Sequence, residues 1–143
     1  MVENSNFSFF SEDISFALKN QAKIKEWVLL SILKEGKTAG EITYIFCSDE
    51  YLYQINLEHL KHKTYTDIIT FNYCENNIIS GDIFISIDRV KENATAYNVT
   101  FQNELHRVII HGILHLIGFN DKTIEDKALM RSKEDFYLSL LSI

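Results

Sequence analysis

Val108 to Lys122 reads VIIHGILHLIGFNDK. It is a strongly helical stretch, and Gly118 is placed to end it, because glycine adopts the left-handed conformation that closes a helix without steric cost. Upstream, the same helix is read from about Thr100, preceded by a shorter helical segment from Asp88, its expected cap, to Tyr97. Downstream, a last helix is expected from Thr123 to Leu141, with Thr123 as cap and Asp126 three residues on, close to a capping box. Toward the N-terminus the pattern changes. Glu41 to Cys47 (EITYIFC) alternates and is β-branched, and Asp67 to Tyr73 (DIITFNY) and Gly81 to Ile87 (GDIFISI) read as two more strands around a Glu75-Asn76-Asn77 turn. Asn6 to Phe10 is a fourth, ended by Ser11-Glu12-Asp13. Ile24, Trp27, Val28 and Ile32 recur at helical spacing between Asn20 and Glu35, with Gly36 as a stop. A further helix over Tyr51 to Leu60 has Ser48 or Asp49 as cap and Leu52, Ile55 and Leu60 on its inner face. The expectation is one α+β domain spanning residues 1–143. It has a small mixed four-stranded sheet packed with four to five helices.

Composition narrows the class. A chain of 143 residues that is 46% hydrophobic has enough apolar side chains to form a core, which excludes a disordered chain. No apolar run approaches the roughly 20 residues needed to span a bilayer. The opening MVENSNFSFFSEDIS lacks a basic stretch followed by an apolar one, so no secretory leader is expected and a cytoplasmic location is. Cys47 and Cys74 are too few for a disulfide framework and read as small buried thiols. The net charge of −6 argues against a broad nucleic-acid surface, although a local phosphate site needs only a few cations.

The chemistry is concentrated in the opening stretch. His111 and His115 are four apart, so both imidazoles project from one helical face on successive turns, within reach of one ion. Beyond the turn at Gly118, Asp121 can fold back as a third ligand. Two imidazoles and a carboxylate leave a position open for water or substrate, as in catalytic zinc sites. A mid-helix glycine costs about 1 kcal/mol against alanine, so Gly112 implies something close to the backbone there. The spacing matches metzincin proteases with one difference: where H-E-x-x-H enzymes carry a general-base Glu, this chain has Gly112. A standard protease is disfavoured.

His111-Gly-Ile-Leu-His-Leu-Ile-Gly-Phe-Asn-Asp121 resembles the H-G-x-L-H-L-x-G-[YF]-D-H signature of the YbeY family, bacterial endoribonucleases of rRNA maturation. Asn56 with Thr66-Asp67-Ile68-Ile69-Thr70-Phe71 resembles the family's L-N-x…-P-T-D-V-L-S-F segment, and Gly81-Asp82-Ile83 its G-D-I strand. The resemblance covers essentially the whole chain. It implies a metal site on the HGxLH helix and following loop, with one zinc per chain held by His111, His115 and Asp121. The family's third ligand is a His, so Asp121 is a departure that zinc chemistry accommodates. The resulting two-His-one-carboxylate set also admits ferrous iron.

The implied function is a zinc-dependent, single-strand-specific endoribonuclease acting in 16S rRNA 3′-end maturation and ribosome quality control. Its partners would be rRNA and the small ribosomal subunit. The family's Arg four residues after Asn56 is replaced by Leu60, and its Pro by Tyr65. Lys61 and Lys63, flanking His62, either supply the missing charge or form a solvated loop. Arg107 is a further candidate for RNA contact. Glu104 and Arg107, on the histidine face, read either as groups supporting the metal site or as an i,i+3 surface ion pair. With no general base in the motif, two alternatives stand: a non-catalytic, metal-stabilised ribosome-assembly factor, or another metallohydrolase.

Overall fold

The computed structural model describes residues 6–143; Met1 to Ser5, which carry the start of the expected leaderless N-terminus, lie outside the described residues. In chain order the elements are β1 (Phe7–Ser11), α1 (Gln21–Lys34), β2 (Thr38–Cys47), α2 (Asp49–Leu60), β3 (Ile68–Asn72), β4 (Ile78–Ser86), α3 (Ile87–Tyr97), α4 (Phe101–Ile117) and α5 (Ile124–Ser139). The sheet order is β1-β2-β4-β3. β1 and β4 both run parallel to β2, while β3 returns antiparallel to β4 with Thr70 opposite Ile83 and Phe71 opposite Asp82. This is the α+β domain expected, with a mixed sheet and, among the described residues, five helices.

The strand alternation builds two unequal layers, because successive side chains point to opposite faces. Ile42, Tyr44 and Phe46 of β2, with Ile83 and Ile85 of β4, join the main core with α1, α4 and α5. Cys47, Leu52 and Ile69 form a smaller cluster, with Ile55, Phe71 and Phe84 against it, under α2. α4 is central. It touches α1, α3, α5, β3 and β4, and Leu105, Ile109, Ile110, Ile113 and Leu114 are fully buried. Tyr44 is completely buried too, and its hydroxyl donates to the Ile109 carbonyl at 2.9 Å, joining β2 to α4. A polar group at that depth costs little only when its hydrogen bond is made.

Several local expectations are corrected. β4 begins at Ile78 rather than Gly81 and continues through Ser86 straight into α3, whose cap is therefore Ser86: its hydroxyl accepts from the Arg89 N–H at 3.0 Å. Asp88 instead accepts from the Asp49 N–H at 2.8 Å. Leu60 is exposed, because α2 covers the sheet only with Leu52 and its neighbours. Cys47 is buried, whereas Cys74 is only partly so. Ser48 caps α2, and Thr123 and Asp126 form a complete capping box on α5. Gly118 ends α4 with φ +126.

The close approach expected at Gly112 is the sheet. A Cβ there would stand 3.0 Å from both Ile68 Cδ1 and Ile83 Cγ2. The glycine lets α4 lie against β3 and β4 at the turn that carries His111 and His115.

Candidate functional site

A cleft of about 260 Å³ opens where α4, α5, the residue before β3 and the loop after α4 converge. Asp67, Glu104, Arg107, His111, Asp121 and Glu134 line it. Each is positioned by a different device. His111 and Arg107 lie one turn apart on α4. The positive φ of Gly118 and the capping box of α5 fix the ends of the short loop that returns Asp121 to the histidines. Asn56, 3% exposed, donates from Nδ2 to the Thr64 carbonyl at 2.9 Å, pinning the loop that leads into Asp67.

Of the three expected ligands, His111 and Asp121 line the cleft, and His115 lies outside its lining on the far side of Asp121. Asp121 faces one histidine with each oxygen: Oδ2 is 3.4 Å from His111 Nε2 and Oδ1 is 3.9 Å from His115 Nε2. Donors bound to a tetrahedral zinc at about 2.1 Å stand about 3.4 Å apart. The first pair has that span and the second is wider, so among the described residues no group of three or more His, Cys, Asp or Glu closes on a common point.

Two imidazoles and a carboxylate are nevertheless donor types that zinc accepts, and His111 has a further carboxylate on its far side. Its Nδ1 is 2.7 Å from Glu134 Oε2. A carboxylate at Nδ1 favours the tautomer protonated there, which turns the Nε2 lone pair outward, toward Asp121. Metal-binding imidazoles are oriented by this arrangement.

Glu134 is itself held. It is 5% exposed, and Arg107 donates to its Oε1 at 2.9 Å and to Asp135 at 2.8 Å. The i,i+3 pair expected between Arg107 and Glu104 is therefore not formed: Arg107 reaches across to α5, and Glu104 is buried rather than at the surface. No sequence signal singled out Glu134, which is one acid among several in a polar helix.

The cleft is electrostatically one-sided. Burial disfavours the charged His111 ring, but the Glu134 hydrogen bond and the charges of Glu134, Asp121 and Asp67 outweigh it and raise the pKa. Burial pushes the Asp67 carboxyl up, with His111 and Arg89 pulling back in part. Burial likewise raises Glu104, and the charge of Asp67 adds to it against Arg107 and Arg131. Four carboxyls, two arginines and His111 thus share one cleft, and burial is the largest cause that lifts Asp67 and Glu104.

The remaining candidates lie elsewhere. Lys61 and Lys63 are exposed on the loop between α2 and β3 and do not line the cleft. His106 is buried edge-on to Trp27, with burial lowering its pKa and, among the described residues, no partner for Nε2. Asp82 sits within β4, not in a turn, 3.4 Å from the Tyr73 hydroxyl.

The chain is similar to known proteins of a single family. Residues 6–142 match the family model described as Endoribonuclease YbeY. A curated Endoribonuclease YbeY of Flavobacterium johnsoniae is 49% identical over 134 residues, covering 94% of this chain and 96% of that one. A second, of Cytophaga hutchinsonii, is 53% identical over 141 residues, covering 98% of each. Among solved structures, the solution structure of TM1509 from Thermotoga maritima superposes with a TM-score of 0.66 at 27% identity, covering 93% of this chain and 87% of that one.

Proposed function

The chain belongs to the YbeY family of endoribonucleases, and from that premise we propose that it is a zinc-dependent hydrolase cleaving phosphodiester bonds of single-stranded RNA. Its biological substrate on this reading is the 3′ end of 16S rRNA, processed on the small ribosomal subunit in the cytoplasm during maturation and quality control. The observation that supports the reading most is the Arg107–Glu134–His111 chain behind the Asp121 carboxylate, since a purely structural histidine needs no such orientation.

His111, His115 and Asp121 would hold the ion. Bound, zinc supplies positive charge for the phosphoryl oxygens and acidifies water. Ferrous iron is the alternative ion for this donor set. The protein's own part follows from the contacts. Glu134 keeps the His111 ring in one tautomer and orientation. Arg107 neutralises Glu134, so the buried carboxylate does not draw the proton from Nδ1. Arg131 lines the cleft with its side chain 63% exposed and 4.0 Å from Glu134 Oε1, and its remaining N–H groups would meet a phosphate.

The test uses untagged protein. Wild type is expected to carry about one zinc per chain and to cut a single-stranded RNA bearing the 16S 3′ end, but not its duplex. His111→Ala/His115→Ala should lose both zinc and cleavage. Zinc binding and RNA binding without metal-dependent cleavage would overturn the enzymatic reading in favour of an assembly factor.

A further inference from the structure

Position 112 is where hydrolases built on an H-E-x-x-H helix keep their general base. Here it is sealed: Ile68 and Ile83 occupy the space in front of Gly112, each 3.0 Å from where a Cβ would stand. The contact that seals it also presses the start of β3 against α4, and the residue before Ile68 is Asp67. From this juxtaposition we propose that Asp67 is the general base of the site, supplying from the sheet edge what the helix cannot. The proposal rests on the endoribonuclease reading above.

Asp67 lines the same cleft as His111 and Asp121. The charged groups that act on it come from three helices: His111 and Glu104 on α4, Arg89 on α3 and Glu134 on α5. The cations and the histidine among them are engaged elsewhere. Arg89 is paired with Asp49 at 2.7 Å and Glu92 at 3.3 Å, and His111 faces Glu134 and Asp121. Among the described residues Asp67 takes part in no such pair; its carboxylate accepts from its own backbone N–H and keeps further acceptor capacity for a substrate proton.

The other acids in the cleft are less suited. Glu134 is locked between Arg107 and His111. Asp121 faces both histidines. Glu104 is set back two turns before His111, about 10 Å along the helix axis at 1.5 Å per residue, and is 5% exposed.

The step balances without a further reactant. Water adds its oxygen to phosphorus and gives its proton to the Asp67 carboxylate. The bond from phosphorus to one ribose oxygen breaks, the electron pair stays on that oxygen, and the oxygen takes a proton from solvent. Asp67 then returns its proton to bulk water.

The experiment compares wild type, Asp67→Asn, Asp67→Ala and His111→Ala as full-length, zinc-loaded proteins on a single-stranded RNA. Asp67→Asn is nearly isosteric and should leave melting temperature, zinc content and RNA affinity at wild-type values while lowering kcat by about 10²–10⁴-fold. Formate, a carboxylate small enough for the vacated space, should restore part of the activity of Asp67→Ala and none of that of His111→Ala. An Asp67→Asn enzyme within about tenfold of wild type, below the range general-base loss produces, would overturn the proposal. So would activity lost together with zinc or stability and not rescued by formate. A wild type that binds zinc and RNA but cuts no RNA removes the endoribonuclease reading itself, a result distinct from either.

Discussion

At the scale of single residues, the proposed metal site turns on which side chains face the two histidines, and Asp121 is the one that faces both. Its two oxygens each address one ring, so neither histidine alone defines the third ligand position. Asp121→Ala is predicted to lower zinc occupancy sharply, whereas Asp121→His, which restores a donor suited to zinc, should retain it. Glu134→Gln, which keeps a hydrogen-bond acceptor but removes the charge behind His111, should weaken zinc binding by about 10–100-fold. Competition with a chromophoric chelator measures all three. Unchanged affinity in Asp121→Ala would remove that residue from the ligand set. The histidine pair was legible in the sequence because i,i+4 spacing is a property of one helix. Glu134 was not, since its burial and its partner 23 residues away arise only when two helices dock.

At the scale of elements, the same distinction separates what local sequence specifies from what packing specifies. The capping box at Thr123 and the end of α4 at Gly118 are written within four residues of each helix end and were read correctly. The start of α3 was misread because Ser86 and Asp88 are both capping residues two positions apart. The choice is made by β4, which runs without a loop into the helix. Gly112 combines the two levels. In a free helix an alanine there would gain about 1 kcal/mol. In this protein its methyl group would meet Ile83, a fully buried and β-branched residue that cannot give way. Overpacking typically costs about 1–3 kcal/mol, so Gly112→Ala should be destabilising by about 1 kcal/mol net. Urea denaturation of Gly112→Ala alone and with Ile83→Val checks the cause, because trimming Ile83 should recover part of the loss.

At the scale of the molecule, α5 is held by α1 and the residue that follows it, about a hundred positions earlier in the chain. Trp27 Nε1 donates to the Tyr137 carbonyl at 2.7 Å. Glu35, just beyond α1, accepts from Lys133 Nζ at 2.9 Å and from the Tyr137 hydroxyl. Burial pushes the Glu35 carboxyl up, but these two hydrogen bonds and the Lys133 charge together bring it below its ordinary value. A carboxyl lowered on folding adds stability above its unfolded pKa and loses it as pH falls through the folded one. Stability should therefore decline between about pH 5 and pH 3, and less steeply in Glu35→Gln. Urea midpoints across that range measure the difference, and identical slopes would mean that Glu35 contributes no pH-linked stability.

The helix held in this way is also the one that carries Glu134, and it is the last described element in chain order. His111 is thus synthesised before the group that orients it. A nascent chain whose α5 has not yet docked has its His111 ring unclamped and Arg107 without its partner. In the order of synthesis, the Arg107–Glu134–His111 chain is therefore complete only once α5 has been made.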